Sequence, residues 1–292
     1  MDKKISVIIP TYNRPKQLQA AIKSVLTQTL VPDEIVVVND GDHYEDFEKF
    51  LDEGIIYHKN PQPMGGNFSR NKGVALSSGD FLMFLDDDDT WKEEKISKQM
   101  ACFQRDENIG LVYCNRVVVD ESGTPIRRIT SSQSGYLYPA ILFSNIIGTT
   151  SSVAIKRNIF EKTGGFDVNI KALQDYDLWI RASKITHVGL VNEHVINYTV
   201  AKDAKNQVSK SGDKQEKAVG EMLIKYKTDI YELSNFKRRK AVSNFLFYIA
   251  KSYRGSSFWK AANFALRSFL SCPNIKALAI LLPKGIVNKL IK

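Results

Sequence analysis

The sequence predicts an α/β fold, in which a mixed but mainly parallel sheet is flanked by helices on both faces. Short apolar segments alternate with amphipathic helical segments over residues 5–85. The apolar segments are nearly continuous, which is typical of parallel strands that are buried on both sides. Polar residues follow several of them, at the carboxyl ends of the strands, where open α/β sheets bind their ligands.

The elements follow one another as βαβ units, whose crossovers place helices over the sheet. The predicted strands cover residues 5–9, 34–38, 55–58 and 81–85, and the predicted helices cover residues 15–28, 44–51 and 67–76. In the first helix, Leu18, Ile22 and Val25 recur at helical spacing. A later strand is predicted at residues 195–200. The 292 residues suffice for one large domain, or for one domain with an appendage.

Cysteine usage and the absence of long apolar segments predict the compartment. Cys102, Cys114 and Cys272 are scattered and lack metal-ligand spacing, which favours a reducing cytoplasm over a disulfide framework. The apolar segment before Pro10 is too short for a signal peptide, and no stretch has the length of a membrane span. We therefore expect a cytoplasmic protein.

Four consecutive aspartates, Asp86, Asp87, Asp88 and Asp89, follow the predicted strand at 81–85. Adjacent carboxylates repel one another, so a fold that needed only solubility would spread them along the chain. A buried strand that ends in such a run is expected to aim its oxygens at one point, where Mg²⁺, Mn²⁺ or Ca²⁺ can bind. The alternative is an acidic turn in which Asp89 or Thr90 caps a helix that starts near Trp91.

Polar groups also follow the other strands. Pro10, Thr11, Tyr12, Asn13 and Arg14 stand between the first strand and the first helix, where a helix N-terminus favours an anion. Asp40 follows the second strand, and Arg70 lies in the helix that begins near Gly65-Gly66 and can reach a phosphate. Taken singly, each is equally well explained as a turn, a cap or a solvated side chain. Their order and common edge favour a binding site.

In this order, six motifs resemble the family 2 glycosyltransferases, which are inverting enzymes with the GT-A fold. The motifs are Ser6–Arg14, Glu34–Gly41, Ser69–Gly73, Phe84–Asp89, Gly164–Asp167 and Gln174–Arg181. The resemblance covers approximately residues 4–210. It implies a GT-A domain over residues 1–212, with a nucleotide-sugar half at 1–120 and an acceptor half at 121–212.

The resemblance implies a donor site for a nucleotide-sugar, usually a UDP-sugar. Thr11, Tyr12 and Asp40 would hold its base and ribose, within the segment from Pro10 through Asn13 to Arg14. Arg70 would position the nucleotide. Asp86 or Asp87 would lie near the ribose, and Asp88 would bind a divalent ion, Mn²⁺ or Mg²⁺, between the two phosphates. Such a cation stabilises the diphosphate that leaves when the sugar–nucleotide bond breaks.

The resemblance makes Asp175 the catalytic base, which removes the proton of an attacking acceptor hydroxyl. Gln174 replaces the commoner glutamate, so the expected base lacks one like-charged neighbour that would raise its pKa, although Asp177 is near. One direct displacement inverts the anomeric carbon. Without the donor site, the favoured interpretation of Asp175 would be a carboxylate stabilised by a helix N-terminus. The turn at Gly164–Asp167 is expected to bring the acceptor-side helix under the donor.

One motif of the resembled family is missing. Many relatives carry a histidine after the strand at 195–200, where this chain has Ala201-Lys202-Asp203-Ala204. His194 is near in sequence, but a histidine within a strand is more often structural. We expect residues 202–211 to form a lid that brings Lys202 or Lys205 near the phosphates.

The charge of the chain is divided unevenly. Twelve of its 41 basic residues and none of its 32 acidic residues follow Glu232, so the preceding part has 29 basic against 32 acidic residues. Residues 213–292 are therefore predicted to be a basic helical tail. Aromatic and aliphatic residues among its lysines favour an anionic membrane surface. The alternatives are packing on the body or against another subunit in a homo-oligomer; nucleic acid is not expected, because no recognition motif accompanies the charge.

Together these features predict a metal-dependent, inverting glycosyltransferase. Its acceptor would be a glycan or lipid-linked saccharide of a bacterial surface polysaccharide, at the inner face of the cytoplasmic membrane. Two alternatives remain, a sugar-phosphate nucleotidyltransferase and a non-catalytic nucleotide-sugar-binding protein. The first normally has a glycine-rich loop where this chain has Pro10–Asn13, and the second would not need Asp88 and Asp175.

Overall fold

The computed structural model describes residues 3–42, 55–200 and 212–282, and its strands form one sheet. The strands are β1 Ile5–Thr11, β2 Glu34–Asn39, β3 Ile55–Lys59, β4 Phe81–Phe84, β5 Thr90–Trp91, β6 Ile109–Val119, β7 Pro125–Ile129, β8 Val153–Lys156 and β9 His187–Thr199. The helices are α1 Pro15–Leu26, α2 Gly66–Leu76, α3 Lys95–Phe103, α4 Arg157–Thr163, α5 Gln174–Ser183, α6 Gly212–Lys225, α7 Lys227–Tyr231, α8 Asn235–Tyr253, α9 Phe258–Ser271 and α10 Ile275–Ala279.

The strand order is β3-β2-β1-β4-β8-β6-β9-β5, and β7 pairs with β6 outside this path. The strands β3, β2, β1 and β4 are parallel to their neighbours. From β4 onward the pairings are antiparallel, except that β6 and β9 are parallel. The predicted mixed sheet with flanking helices is confirmed. Parallel pairing predominates only in the first half, because the βαβ rhythm that predicted it stops after β4.

The sequence explains how helix α1 packs on strand β1. Pro15 stands in the first turn of α1, where its missing N–H costs no helical hydrogen bond. Leu18, Ile22 and Val25 are buried along one face and belong to the same apolar core as Val7 and Ile9 of β1. The predicted amphipathic helix at 15–28 is thus confirmed, although it ends at Leu26.

Helix α2 lies unusually close to β1. A Cβ atom added to Gly73 would lie 2.4 Å from Cγ2 of Ile8, a distance that no ordinary packing allows. Glycine at this position therefore lets the helix approach the sheet, and any larger side chain would overpack the contact. This close approach determines the distance between the strand ends and Arg70, which lies one helical turn before Gly73.

The strand register brings the candidate residues to one edge. Thr11 of β1 is opposite Asn39 of β2, and the Asp40 N–H donates to the Thr11 carbonyl over 2.9 Å. The Leu85 N–H, just past β4, donates to the Ile8 carbonyl over 3.0 Å. The segments that follow β1, β2 and β4 therefore begin side by side, as expected for parallel strands.

Several local predictions have a clear outcome. The strands predicted at 5–9, 34–38, 55–58 and 81–85 and the helix at 67–76 are present, with ends that differ by one or two residues. The strand predicted at 195–200 is the end of a longer strand, β9, which begins at His187. A helix that starts near Trp91 is absent, because Trp91 pairs with Ile196 as part of β5 and helix α3 starts only at Lys95. The helix predicted at 44–51 lies outside the described residues.

The chain divides into two compact units. The first comprises residues 1–138, 146–168 and 174–202, and the second comprises residues 139–145, 169–173 and 203–292. Within the second unit, α8 and α9 approach through Ser243 and Ser268, whose hydroxyls each donate to the other residue's carbonyl over 2.8 Å. The rings of Tyr253 and Phe264 are stacked with centroids 6.1 Å apart. These contacts between small and aromatic residues stabilise a helical unit of its own.

Candidate active site

The loop between β1 and α1 meets the aspartate run at Asp87. The hydroxyl of Thr11 donates to Asp87 Oδ2 over 2.8 Å, and the Tyr12 N–H donates to the same atom over 3.3 Å. Nη1 of Arg14 lies 3.0 Å from Asp87 Oδ1. Burial raises the pKa of Asp87, and the charge of Arg14 opposes this shift. Asp87 therefore anchors the loop that carries the predicted donor-binding residues.

Asp88 is the more exposed of the two carboxylates that share Arg14. Nη1 of Arg14 lies 2.6 Å from Asp88 Oδ2, and the Asp88 side chain is 30% exposed against 8% for Asp87. Burial and the charge of Asp86 raise the pKa of Asp88 to about 6, although Arg14 opposes the shift. A cation bound next to Asp88 would relieve this repulsion.

Asp86 is held by the helix α2 side of the site. Nη2 of Arg70 lies 2.5 Å from Asp86 Oδ1, and the Thr150 hydroxyl lies 3.0 Å from Oδ2. The Arg70 guanidinium also lies 5.5 Å from the ring centroid of Phe166, while its buried Nε has no hydrogen-bond acceptor among the described residues. Arg70 is thus fixed beside Asp86 and still has one unused donor.

Asp89 has a different environment from the other three. It is fully buried and accepts hydrogen bonds from the Ser151 hydroxyl, over 2.6 Å, and from the Thr199 N–H, over 2.9 Å. Burial and the charges of Asp86 and Asp88 raise its pKa well above the usual range. Asp89 therefore ties the end of β4 to the end of β9, and it caps no helix.

The sequence led us to expect that the four carboxylates converge on one point, but they do not. Among residues 3–42, 55–200 and 212–282, no three histidine, cysteine, aspartate or glutamate side chains form a metal-binding group. Four successive residues of an irregular turn project in different directions, so the run divides between several partners. Two hard oxygen donors, Asp86 and Asp88, are still close enough to interact, since the charge of Asp86 raises the pKa of Asp88. Mg²⁺ commonly binds one or two carboxylates together with substrate phosphates. The donor set therefore fits a cation that a diphosphate completes.

Asp40 organises the entrance to helix α2. Its carboxylate accepts three hydrogen bonds of 2.7 Å, from Asn60 Nδ2, the Met64 N–H and the Gly65 N–H. A carboxylate offers about four lone-pair sites, so Asp40 retains room for one further donor. The structure places Asp40 at the same edge as Thr11.

The loop after β1 has a fixed backbone and one exposed ring. Pro10 is buried in β1, opposite Val38, whereas Tyr12 is 50% exposed. Asn13 has a φ of 54°, in the left-handed region that asparagine tolerates, and its Oδ1 accepts from the Asp42 N–H over 3.1 Å. The exposed Tyr12 ring is therefore presented on a rigid loop.

The turn at Gly164–Asp167 docks on helix α2. Gly164 and Gly165 have φ values of 77° and 71°, which glycine adopts without strain. Asn71 then pairs with both backbone groups of Phe166, donating to its carbonyl over 2.8 Å and accepting from its N–H over 2.9 Å. The turn thereby places the Phe166 ring against Arg70, a function that the sequence did not predict.

Asp175 stands in the first turn of α5, where the charges of Arg70, Arg116 and Asp86 act on it. Burial raises its pKa to about 6; Arg70 and Arg116 oppose the shift and the charge of Asp86 adds to it. The expectation that this carboxylate lacks a like-charged neighbour is wrong, because Asp86 takes that place. Asp177 is instead paired with Arg181, with Oδ2 2.6 Å from Nη2. A carboxylate with a pKa near 6 is suited to accept a proton close to neutral pH.

Sequence reasoning missed the residues that the second half of the sheet contributes. Thr150 and Ser151 contact Asp86 and Asp89, and they lie in the hydroxyl-rich run Gly148-Thr149-Thr150-Ser151-Ser152, a signal that could have been used. Arg116 lies within the apolar strand β6, where one basic residue among buried neighbours was the only sign.

The structure describes His194, the histidine nearest in sequence to the missing family motif, but not the lysines of the predicted lid. His194 Nε2 lies 3.0 Å from the Thr130 hydroxyl, and burial lowers its pKa. This contact is with the segment that follows β7, and no hydrogen bond or ion pair joins His194 to the aspartate run among the described residues. Lys202 and Lys205 of the predicted lid lie outside the described residues.

This fold and this edge are those expected of a glycosyltransferase: a half-parallel sheet presents carboxylates and arginines that can bind a phosphorylated donor, beside a carboxylate suited to be a base. The model of the family "Glycosyl transferase family 2" matches residues 6–168, which is more than half of the chain. The chain therefore belongs to glycosyl transferase family 2. The family predicted from the six motifs is confirmed.

The relatives carry the same description. A chain from Haemophilus influenzae described as "Uncharacterized glycosyltransferase" is 28% identical over 239 residues, which are 80% of each chain. The Bacillus subtilis protein "Putative teichuronic acid biosynthesis glycosyltransferase TuaG" is 29% identical over 209 residues, covering 68% of this chain and 80% of that protein.

Solved structures share the fold. The crystal structure of S. aureus TarS residues 1–349 in complex with UDP-GlcNAc has a TM-score of 0.63 and 15% identity, covering 96% of this chain and 84% of that one. The same region of TarS in complex with UDP has a TM-score of 0.57 and 15% identity, covering 95% and 90%. At this identity the likeness establishes the fold alone.

Proposed function

We propose that this chain transfers a sugar from a UDP-sugar to a hydroxyl group of a surface glycan, with inversion and with a divalent cation. The observation that carries the proposal is the juxtaposition of two groups at one sheet edge. Asp86–Asp88 with Arg14 and Arg70 form a charged donor site, and Asp175, whose pKa is about 6, lies within electrostatic reach of Asp86. Family membership, the UDP complexes of TarS and the name of TuaG support the donor and the product class.

The donor half would hold the nucleotide. Thr11, Tyr12 and Asp40 stand together at the ends of β1 and β2, with an exposed aromatic ring and one free acceptor position on Asp40. Arg70, with its unused Nε donor, would bind a phosphate oxygen as part of a planar guanidinium fork. Asp88, assisted by Asp86, would hold Mn²⁺ or Mg²⁺, which when bound offsets the charge that develops on the leaving diphosphate.

Asp175 would act on the acceptor. Its carboxylate accepts the proton of the attacking hydroxyl while that oxygen displaces the nucleotide from the opposite side of the anomeric carbon. The displacement is direct, so the configuration inverts and no second carboxylate nucleophile is needed. Burial keeps the pKa of Asp175 close to the working pH, which favours both deprotonation beforehand and proton uptake during transfer.

The first test is calorimetric titration of the full chain with UDP-, GDP- and dTDP-sugars, with and without Mn²⁺. We expect one UDP-sugar to bind only with Mn²⁺, and Asp88→Asn to lose the metal-dependent part of the affinity. Glu121→Gln, which removes an exposed carboxylate, is the matched control. Slow release of free UDP from the bound donor would separate a transferase from a nucleotidyltransferase or a binding protein. Equal affinity with and without metal in both proteins would refute the metal role.

The second helical unit would hold the enzyme at an anionic membrane, on its cytoplasmic face. Phe258, Trp259, Leu270 and Ile275 of α9 and α10 are exposed by 58%, 82%, 65% and 82%. No acidic residue follows Glu232, and exposed Arg267 and Lys276 lie among these apolar side chains. Exposed aromatic rings with basic neighbours favour the interface of an anionic bilayer. Among the described residues, no helix is long and apolar enough to cross a membrane.

Vesicle sedimentation tests the membrane proposal. The chain should bind vesicles of phosphatidylglycerol and phosphatidylcholine, and the double variant Trp259→Ser, Ile275→Ser should bind several-fold less. Leu26→Ser, which changes a partly exposed residue of α1, is the control. Binding that is equal in all three proteins would exclude this surface as the membrane contact.

A further inference from the structure

Among the described residues, the Arg116 side chain is a charged group of the site that has no hydrogen-bond or ion-pair partner. It extends from the middle of β6, is half-buried, and makes no hydrogen bond with the part of the chain that the structure describes. No carboxylate among those residues lies within ion-pair distance of its guanidinium. By contrast, Arg14 and Arg70 each pair with aspartates. A half-buried charge without a partner is costly, so such a group points to an anion that binds there.

The backbone around Arg116 is shaped to leave room for the guanidinium. A Cβ atom added to Gly148 would lie 2.2 Å from Nη1 of Arg116 and 3.3 Å from Nη2. Gly148 also has a φ of 95°, which strongly favours glycine. The Trp179 indole donates to the Gly148 carbonyl over 2.9 Å, so the cradle is fixed from behind. The Tyr198 ring centroid lies 5.9 Å from the Arg116 Cζ on another side.

The position of this cradle connects Arg116 with the proposed chemistry. Thr150 and Ser151, which come soon after Gly148 in the chain, contact Asp86 and Asp89 of the aspartate run. Burial lowers the pKa of Arg116, and the charges of Asp175 and Asp89 act in the opposite direction. The Arg116 guanidinium thus lies within electrostatic reach of the expected base, Asp175, on which Arg70 also acts.

We propose that Arg116 is a substrate-binding residue that binds a phosphate group in its Gly148 cradle. The inference rests on the proposed function and adds a second phosphate-binding arginine, beside Arg70, to it. A planar guanidinium with several free N–H groups matches a phosphate in charge and geometry. The phosphate could belong to the diphosphate of the donor or to a phosphate of the acceptor, and the two sources require different experiments.

The test compares wild type with Arg116→Gln and Arg116→Lys in the full chain. UDP and uridine are titrated by calorimetry in the presence of Mn²⁺, and glycerol 3-phosphate is titrated into the protein with and without UDP. If the donor supplies the phosphate, Arg116→Gln should weaken UDP binding by about ten- to hundredfold and leave uridine binding unchanged. If the acceptor supplies it, UDP binding should be unchanged and only the binding of glycerol 3-phosphate should be lost. Arg116→Lys should retain part of either effect.

Two further variants separate binding from folding. Arg127→Gln removes an exposed arginine of β7 and should behave as wild type. Gly148→Ala keeps the charge but moves the guanidinium, and should reproduce the binding defect of Arg116→Gln with an intact near-ultraviolet spectrum. Unchanged binding of both UDP and glycerol 3-phosphate by Arg116→Gln would overturn the proposal. If wild type does not bind UDP, the proposed function fails, while the glycerol 3-phosphate titration of the unliganded protein still decides the role of Arg116.

Discussion

The parallel and antiparallel halves of the sheet contribute to the candidate site in different ways. The half formed by β3, β2, β1 and β4 presents its functional groups on the segments that follow the strands, where Arg14 and Arg70 pair with aspartates. The half formed by β8, β6, β9 and β5 contributes Ser151, Arg116 and the Thr199 N–H, from a turn, a mid-strand position and a strand end. The first half balances its charges between side chains. The second half contains polar groups that depend on a few hydrogen bonds, and Arg116 makes none with the described residues.

The aspartate run lies at the boundary and shows the difference within four residues. Asp87 and Asp88 face the arginine of the β1 loop, whereas Asp89 is fully buried and depends on Ser151 and Thr199. Aspartates of the same run therefore have different partners on the two sides of the boundary. Asp88 is available to a ligand, and Asp89 links the turn after β4 to Ser151 and to the end of β9.

The largest expected effect concerns Asp175, on which both halves act. Replacement by asparagine should lower kcat by about 10²–10⁴-fold, the range for loss of a general base, and leave UDP-sugar binding unchanged. Because burial raises the pKa of this carboxylate to about 6, kcat of the wild type should fall as the pH drops through 6, when it is measured at saturating UDP-sugar and Mn²⁺, where a bound cation would keep Asp88 ionised. The variant should lack this acid limb. Rates of UDP release between pH 5 and pH 8 would measure both effects.

The fold provides an internal control for this variant. The ionised, buried Asp175 destabilises the protein above pH 6, so Asp175→Asn should not lower the Tm. Asp177→Asn, by contrast, removes the partner of Arg181 and should lower the Tm. Near-normal turnover in the Asp175 variant would show that another group takes the proton. Asp175 would then lose its assignment as the base.

In the parallel half the sequence predicted the strands and their common edge, because local order there carries the three-dimensional information. Strand, polar segment and helix follow one another, so the edge at Thr11, Asp40 and Asp88 could be predicted from sequence spacing alone. The antiparallel half joins residues that are distant in sequence, such as Asp89 with Ser151 and Thr199. No periodicity indicates such pairs. Arg116 was overlooked for a related reason, since its cradle at Gly148 exists only after the chain has folded.

The second prediction tests the hydrogen bonds that the antiparallel half supplies. Ser151 donates to Asp89 Oδ2 and accepts from the Asp86 N–H over 3.1 Å, so Ser151→Ala removes both hydrogen bonds and leaves Asp89 with the Thr199 N–H. The free energy of unfolding should fall by about 1–3 kcal/mol. Urea denaturation would measure it, with Ser122→Ala, in an exposed turn, as the control. A loss equal to that of the control would show that Asp89 does not depend on this contact.

The last prediction concerns Lys95, a buried cation beneath the antiparallel half. Lys95 is fully buried; its Nζ lies 2.7 Å from Gln99 Oε1 and 3.6 Å from the ring centroid of Trp91. Burial lowers its pKa to about 7, against a small opposing effect of Cys114. An unfolded lysine keeps its proton well above this pH, so between pH 7 and pH 10 the unfolded state binds more protons than the folded state. The contribution of Lys95 to stability must therefore rise with pH, by roughly 1 kcal/mol per unit.

Lys95→Met should remove this rise, because methionine fills a similar volume and carries no charge. At pH 6 the variant should be more stable than wild type, since replacing a buried charge with an apolar group is neutral or stabilising by about 1–4 kcal/mol. At pH 9 the difference should shrink or reverse, as the neutral lysine then keeps its hydrogen bond to Gln99. Urea denaturation at pH 6, 7.5 and 9 would measure both, with the exposed Lys92→Met as the control. Parallel stability curves for wild type and Lys95→Met would mean that Lys95 stays charged in the fold. The antiparallel half would then tolerate a buried charge without shifting its pKa, and the contrast with the paired charges of the parallel half would disappear.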